Sequence, residues 1–148
     1  NKPYEKESVD LKKIVASLRE IFYNKIKDKV EIVIEIEENF TLEANIGFVT
    51  QILLNLISNS IDAIKDNGII KVIAKNNEQK KYVIVSDNGT GIPGENIENI
   101  FNAFFTTKEV GKGTGLGLYI VKDMVMKLNW QINVRSELNK GTDFIITI

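Results

Sequence analysis

The chain has 148 residues, no cysteine, no histidine and a formal net charge of −1. These counts exclude disulfides, cysteine nucleophiles, histidine catalysis and thiolate or imidazole metal sites, and the chain lacks the basic excess that drives binding to nucleic-acid backbones. The remaining carboxylate, amide and hydroxyl oxygens suit a hard cation such as Mg²⁺. No apolar run approaches the ~20 residues of a membrane span, and nothing at the start resembles a signal peptide.

Residues 1–8 are polar and include Pro3, so we expect them to be a linker from a preceding part of a longer protein. The spacing of apolar residues then predicts helices over 10–27, 45–65, 95–100 and 116–129, and strands over 30–36, 41–44, 69–75, 82–86, 131–136 and 144–148. Because strands and helices do not alternate strictly, the order predicts one α+β domain over residues 9–148. We expect a two-layer sandwich with helices on one face of a mixed sheet.

The long helix predicted over residues 45–65 carries an amide-rich stripe. Gln51, Asn55, Asn59 and Asp62 share one face, apart from the broad apolar arc. This stripe could simply be a solvated face. Such faces normally carry lysine and glutamate, however, because asparagine is a poor helix former. Asparagine oxygens at this spacing therefore indicate a ligand, and Mg²⁺ held mainly by water and phosphate is a suitable one.

Two glycine-rich segments, residues 87–92 and 111–118, flank the least periodic part of the chain. The second lacks the spacing of a P-loop and does not follow a predicted strand as a dinucleotide fingerprint must, so both segments could be flexible loops. The second nevertheless leads into a helix, where free N–H groups and the helix dipole favour phosphate. Lys108 and Lys112 could add positive charge there.

Asp87 follows a predicted strand and opens the first glycine segment. A carboxylate only accepts hydrogen bonds, so it favours the exocyclic amine of adenine over the carbonyl oxygen of guanine. We expect Gly89 and Gly91 to adopt positive φ and to let the backbone approach the base closely.

Together these segments resemble the Bergerat-type ATP-binding fold of sensor histidine kinases, gyrase B-type topoisomerases, MutL-type repair proteins and the large stress chaperones. Four motifs occur in the family's order, followed by the entry to its last strand at residues 141–144. They are an N box at 55–63, a first glycine box at 87–92, an F box at 100–108 and a second glycine box at 113–118. The resemblance covers the chain from about residue 9 to residue 148.

The resemblance implies a role for each motif. Asn59 would coordinate Mg²⁺, and Asn55 would lie beside it near the phosphates, a metal-bound water or the metal itself. Asp87 would bind the adenine amine, helped through water by Thr142. Residues 102–114 would form a lid. Asn55, Asn59 and Lys108 would be the catalytic group; the further nucleotide-binding residues would be Asp62, Gly89, Gly91, Ile92, Gly113, Thr114, Gly115, Leu116, Gly117 and Leu118.

Asn55 distinguishes branches of this superfamily. The hydrolysing members and the anti-sigma-factor kinases carry glutamate there as a general base, which an amide cannot replace. The resemblance therefore implies the catalytic, ATP-binding domain of a sensor histidine kinase. In such a domain a neutral imidazole attacks the γ-phosphorus, and catalysis depends mainly on positioning the reactants and neutralising charge. The alternatives are an anti-sigma-factor-type serine kinase, an inactive nucleotide-binding scaffold and a gyrase-type ATPase clamp.

In this family the acceptor histidine lies on a helical hairpin N-terminal to the ATP-binding domain. The resemblance therefore implies two partners, the protein's own dimerisation hairpin and a response regulator that the hairpin serves. We expect the fragment to be monomeric, its parent kinase to be a homodimer, and the cofactors to be ATP and Mg²⁺. We expect a cytoplasmic domain without direct membrane or nucleic-acid contact, although the parent could be membrane-anchored.

Overall fold

In the computed structural model, which describes residues 5–108 and 113–148, a five-stranded mixed sheet forms one layer, in the order β2-β4-β5-β7-β6. β2 pairs with β4 in parallel, and the other three pairings are antiparallel. The strands are Val30–Ile36 (β2), Gly68–Asn77 (β4), Lys80–Asp87 (β5), Gln131–Glu137 (β6) and Gly141–Thr147 (β7). A separate two-stranded ribbon pairs Glu7–Ser8 (β1) with Glu43–Ala44 (β3).

The helices form the second layer and pack on one face of the sheet. They are Leu11–Ile21 (α1), Tyr23–Ile26 (α2), Ile46–Ala63 (α3) and Gly117–Lys127 (α4), and a 3₁₀ turn spans Gly94–Asn96. In β4 the alternating side chains of Ile70 and Val72 are buried beneath the helices, whereas Lys71 is exposed. The predicted α+β sandwich is therefore confirmed. Among the described residues, no helix is both long enough and apolar enough to cross a bilayer.

Three helices end earlier than the sequence predicts. α4 ends at Lys127 rather than at residue 129, and the reasons for the early ends of α1 and α3 are identifiable. Asp10 caps α1 by accepting a hydrogen bond from the Lys13 N–H at 3.2 Å, but the helix breaks at Phe22, which lets Phe22 and Ile26 both pack in the core. α3 ends at Ala63 rather than near residue 65. Ile64 takes an extended conformation and is 2% exposed, because its side chain enters the core.

The segment after the first glycine box is not the predicted helix over residues 95–100. A 3₁₀ turn follows Pro93, and irregular turns continue as far as Phe104. Asparagines at 96, 99 and 102 favour such turns because their side chains compete for local hydrogen bonds; the Asn102 amide donates to Asn99 Oδ1 at 3.2 Å. Each predicted strand is found: β2 has the same bounds, β4, β5, β6 and β7 are longer than predicted, and β3 is shorter, spanning Glu43–Ala44 rather than 41–44.

The segment predicted to be a linker is exposed over residues 5–8, but its last two residues form β1. The domain boundary between residues 8 and 9 stays a prediction.

Candidate functional site

A cavity of about 320 Å³ opens between α3, the first glycine box, the F box and the start of α4. This volume lies at the lower end of the range for small-molecule sites. Ten predicted site residues line it: Asn55, Asn59, Gly91, Ile92, Lys108, Gly113, Thr114, Gly115, Gly117 and Leu118. Five others do not: Asp62, Asp87, Gly89, Leu116 and Thr142.

The amide stripe of α3 faces α4 and the cavity. Gln51 Nε2 donates to Asn55 Oδ1 at 3.0 Å, and Asn55 Nδ2 donates to the carbonyl oxygen of Gly117 at 3.3 Å. Asn55 therefore ties the helix that carries the N box to the first residue of α4. Asn59 lies one helical turn further along the same cavity wall. With the Asn55 oxygen already accepting from Gln51, Asn59 is the better placed of the two amides to meet a cation.

Lys108 lies at the mouth of the cavity and forms an ion pair with Asp62 in the last turn of α3. The two side chains are 38% and 37% exposed, so water screens this pair. Lys108 also donates its backbone N–H to Thr106 Oγ1 at 3.1 Å. The predicted lid can be followed only at its two ends, since residues 109–112, including Lys112, lie outside the described residues.

The second glycine box packs against the end of the F box. The Phe104 N–H donates to the Gly115 carbonyl oxygen at 2.8 Å, and the φ angles of these residues are 67° and 70°. α4 then begins at Gly117 without a side-chain cap from Leu116. The first N–H groups of a helix have no partner within it, and Gly117 lines the cavity, so this end can receive an anion.

The first glycine box is held tightly between α3 and the β6–β7 turn. The Thr90 N–H donates to the Ala63 carbonyl oxygen at 2.9 Å, and the Asn139 N–H donates to the Thr90 carbonyl oxygen at 2.7 Å. A Cβ on Gly89 would lie 2.6 Å from the Ala63 oxygen, and one on Gly91 would overlap the backbone of Glu137. The close approach made by these glycines is thus to the protein's own backbone.

The expected positive φ is found at Gly91, with a φ of 73°, and was wrong for Gly89. Gly89 lacks a side chain because it packs on the end of α3, which the sequence alone does not indicate.

Asp87 is 7% exposed and ends β5. Its carboxylate accepts a hydrogen bond from the Gly89 N–H at 2.9 Å. Burial raises the pKa of this carboxyl group above its ordinary value of 3.8, and nearby Asp143 adds to the rise; hydrogen bonds from Gly89, Ser60 and Thr142 lower it in part. The Ser60 hydroxyl is buried and favours the ionised form of Asp87.

A polar row crosses three strands beside the cavity. Ser136 on β6 is opposite Thr142 on β7, and Thr142 is opposite Asp87 on β5. Ser136 was missed from the sequence. The signal was a single serine on the helix-facing side of a strand, which is too common a pattern to identify a site.

The model of the histidine kinase-, DNA gyrase B- and HSP90-like ATPase family matches residues 44–148. The chain belongs to this family. Sensor kinase CckA of Brucella abortus (strain 2308) is 35% identical over 156 residues, which cover 95% of this chain and 16% of CckA. Sporulation kinase D of Bacillus subtilis (strain 168) is 30% identical over 93% of this chain and 28% of its own length. The chain thus spans under a third of these relatives.

Solved structures of this family show the same fold. The catalytic domain of histidine kinase ThkA is 33% identical, with a TM-score of 0.82 over 97% of this chain and 95% of that domain. ThkA has also been solved in complex with response regulator protein TrrA. Full-length ShkA in complex with AMPPNP is 26% identical, with a TM-score of 0.83 over 96% of this chain and 30% of ShkA. The chain is therefore a histidine kinase ATPase domain of the two-component type.

Proposed function

We propose that this domain binds Mg-ATP and donates the γ-phosphoryl group to a histidine on a helical hairpin of the same longer protein. One observation carries the proposal: the amides of α3, the Lys108 ammonium and the glycine-rich start of α4 meet around one cavity. These groups fit a magnesium-bound polyphosphate, because they supply a neutral oxygen ligand for the metal and N–H and ammonium donors for the phosphates.

The proposal divides the nucleotide among the described elements. Asn59 holds Mg²⁺, and Lys108 and the segment from Gly113 to Gly117 hold the phosphates. Asp87 takes the adenine amine. The carboxylate fits that role because it is positioned by the Gly89 N–H and retains accepting capacity for a ligand. The complex of ShkA with AMPPNP supports an adenine nucleotide as the ligand of this fold.

Asn55 determines which reaction suits the site. Its side chain is an amide held between Gln51 and Gly117, so it has no proton-accepting group at neutral pH. An imidazole nitrogen needs no general base: it attacks the γ-phosphorus directly, a nitrogen–phosphorus bond forms, and ADP leaves. The domain's contribution is position and charge neutralisation, the latter supplied by Mg²⁺ and Lys108.

The partners follow from the same reaction. We propose that the phosphohistidine on the hairpin passes its phosphoryl group to a response regulator, in line with the ThkA complex with TrrA. We also propose that the hairpin makes the longer protein a homodimer and that the reaction takes place in the cytoplasm, where ATP and response regulators are available.

Calorimetric titration with Mg-ADP and Mg-AMPPNP, with GTP as competitor, tests nucleotide binding. We expect both adenine nucleotides to bind, GTP to compete weakly, and Asp87→Asn to lower affinity by about 100-fold, as buried polar recognition allows. Asn59→Ala should weaken the magnesium-dependent part of binding. Asp143→Asn is the matched control, because Asp143 lies on the neighbouring strand with its side chain on the other face of the sheet.

Transfer is tested by adding the helical hairpin of a two-component kinase in trans with γ-labelled ATP. We expect acid-labile phosphohistidine on the hairpin and little ATP hydrolysis by the domain alone. Steady hydrolysis would contradict the role given to Asn55, and acid-stable phosphoserine on a protein substrate would favour the serine-kinase alternative. Absence of nucleotide binding by the folded domain would leave an inactive scaffold.

A further inference from the structure

The Ser136 hydroxyl stands at the junction of three segments beside the cavity. It accepts a hydrogen bond from the Ile92 N–H at 2.7 Å, lies 3.0 Å from the Gly141 carbonyl oxygen, and lies 2.8 Å from Thr142 Oγ1. Ile92 belongs to the first glycine box and lines the cavity, and Thr142 is 5% exposed beside Asp87. One side chain thus connects the glycine loop to the polar row.

The direction of these hydrogen bonds follows from what each group can do. A serine hydroxyl has one hydrogen to donate and two lone pairs that accept. The Gly141 carbonyl can only accept, so it takes the Ser136 hydrogen. The Ile92 N–H can only donate and occupies one lone pair. All three contacts are satisfied when the Thr142 hydroxyl donates its hydrogen to the second lone pair of Ser136.

This arrangement leaves Thr142 Oγ1 with lone pairs alone to offer any other group. Asp87, opposite Thr142 on the neighbouring strand, likewise accepts when ionised. The end of the polar row therefore presents acceptors from both residues. A purine with an amino group at C6 can donate hydrogen bonds to these acceptors. A purine with a carbonyl oxygen at C6 instead places an acceptor against acceptors, which is unfavourable.

We propose that Ser136 is a positioning residue that fixes the direction of the Thr142 hydroxyl and so makes the base subsite select 6-amino over 6-oxo purines. The inference rests on the proposed function, since it takes residues 87 and 142 to face the base. Without Ser136, the Thr142 hydroxyl is free to rotate and to donate to a carbonyl oxygen. The effect of Ser136 is then on discrimination, in addition to any support it gives the glycine loop.

Titration with Mg-ADP and Mg-IDP tests this inference, because the two bases differ in amine against carbonyl at C6 and in the hydrogen that hypoxanthine carries at N1. We expect Ser136→Ala to reduce the ratio of the IDP to the ADP dissociation constant by about five- to tenfold, the size of one hydrogen bond. Ser136→Thr should retain the ratio, because it restores the hydroxyl at a strand position that tolerates β-branching. Thermal unfolding verifies that the variants are folded, and Ser136→Cys replaces the alanine variant if the latter does not fold.

A double-mutant cycle shows whether Ser136 acts through Thr142. Thr142→Val should lower the same ratio, and Ser136→Ala should lower it no further in that background. Equal weakening of ADP and IDP by Ser136→Ala, or additive effects in the double variant, would overturn the inference while leaving the proposed function intact. Failure of the wild-type domain to bind ADP would overturn both.

Discussion

Glycine serves opposite purposes in the two glycine boxes. In the first box, Gly89 and Gly91 are packed against backbone atoms of α3 and of the β6–β7 turn. In the second box, Gly115 packs on Phe104, but Gly117 has open space where a side chain would be. The first glycine loop is thus packed against backbone atoms on both sides. The second glycine loop ends at the N-terminus of α4, where Gly117 has unfilled space beside it.

This difference indicates which part of the site exists before a nucleotide arrives. The side that we propose to bind the base contains buried Asp87 and its hydrogen bonds, which belong to the packed fold. The side that we propose to bind the phosphates consists of a partly exposed ion pair, N–H groups without a side-chain cap and a glycine with room beside it. We therefore expect changes in the first box to affect mainly stability, and changes in the second to affect mainly binding.

A matched pair of alanine variants gives the largest expected contrast. Gly91→Ala should lower the free energy of unfolding by about 3 kcal/mol, because it combines an unfavourable φ with overlap against the Glu137 backbone. Gly117→Ala should leave stability unchanged or raise it by up to about 1 kcal/mol through helix propensity. It should nevertheless weaken ADP binding by narrowing the phosphate side. Urea unfolding measures the change in stability, and calorimetry measures the change in ADP affinity. Equal loss of stability in both variants would contradict the difference drawn between the two glycine boxes.

Lys108 provides the next test on the phosphate side. Lys108→Met should reduce affinity for ATP by about tenfold, the size of a charge-assisted hydrogen bond, and leave affinity for AMP nearly unchanged. Loss of the screened pair with Asp62 should change stability by less than about 1 kcal/mol. Lys140→Met is the control, since Lys140 pairs with Glu137 at an exposed surface position. Equal effects on ATP and AMP would place Lys108 away from the phosphates.

The smallest expected effect concerns the pH dependence of the buried carboxyl group. The folded-state pKa of Asp87 is raised above its ordinary value of 3.8. In the pH interval between 3.8 and the folded-state pKa, the folded protein therefore holds a proton that the unfolded chain releases. The contribution of Asp87 to stability therefore falls as pH rises through the interval. Asp87→Asn should unfold at a temperature higher than the wild type by a few degrees near neutral pH, with a smaller difference near pH 4. A larger advantage at acid pH would contradict this sign.

Local sequence patterns predicted most of the fold because each element carries its own signal. The alternation of β2 and the Asp10 cap of α1 are fully local, and both were confirmed. The end of α3 was misplaced because it depends on Ile64 entering a core formed by distant residues. The helix predicted over 95–100 failed because turn-forming asparagines outweighed weak periodicity.

The candidate site could be predicted as motifs but not as geometry. Ten predicted residues line one cavity, but the sequence alone did not indicate that Asp87 and Thr142 are buried and do not belong to its lining. Ser136 could not be found, because its three contacts join segments that are 5 to 44 residues apart in the chain. Its importance depends on strand register, which is a property of the whole sheet.

The short ribbon of β1 and β3 determines how a force on the preceding polypeptide would reach the site. Glu7–Ser8 is paired directly before Asn45, the N-cap of α3, and α3 carries both amides of the cavity. A pull on residue 5 is therefore applied at the foot of the helix that carries Asn55 and Asn59. If the ribbon peeled away, residues 5–8 would become tether and add about 13 Å of reach, at roughly 3.3 Å per residue.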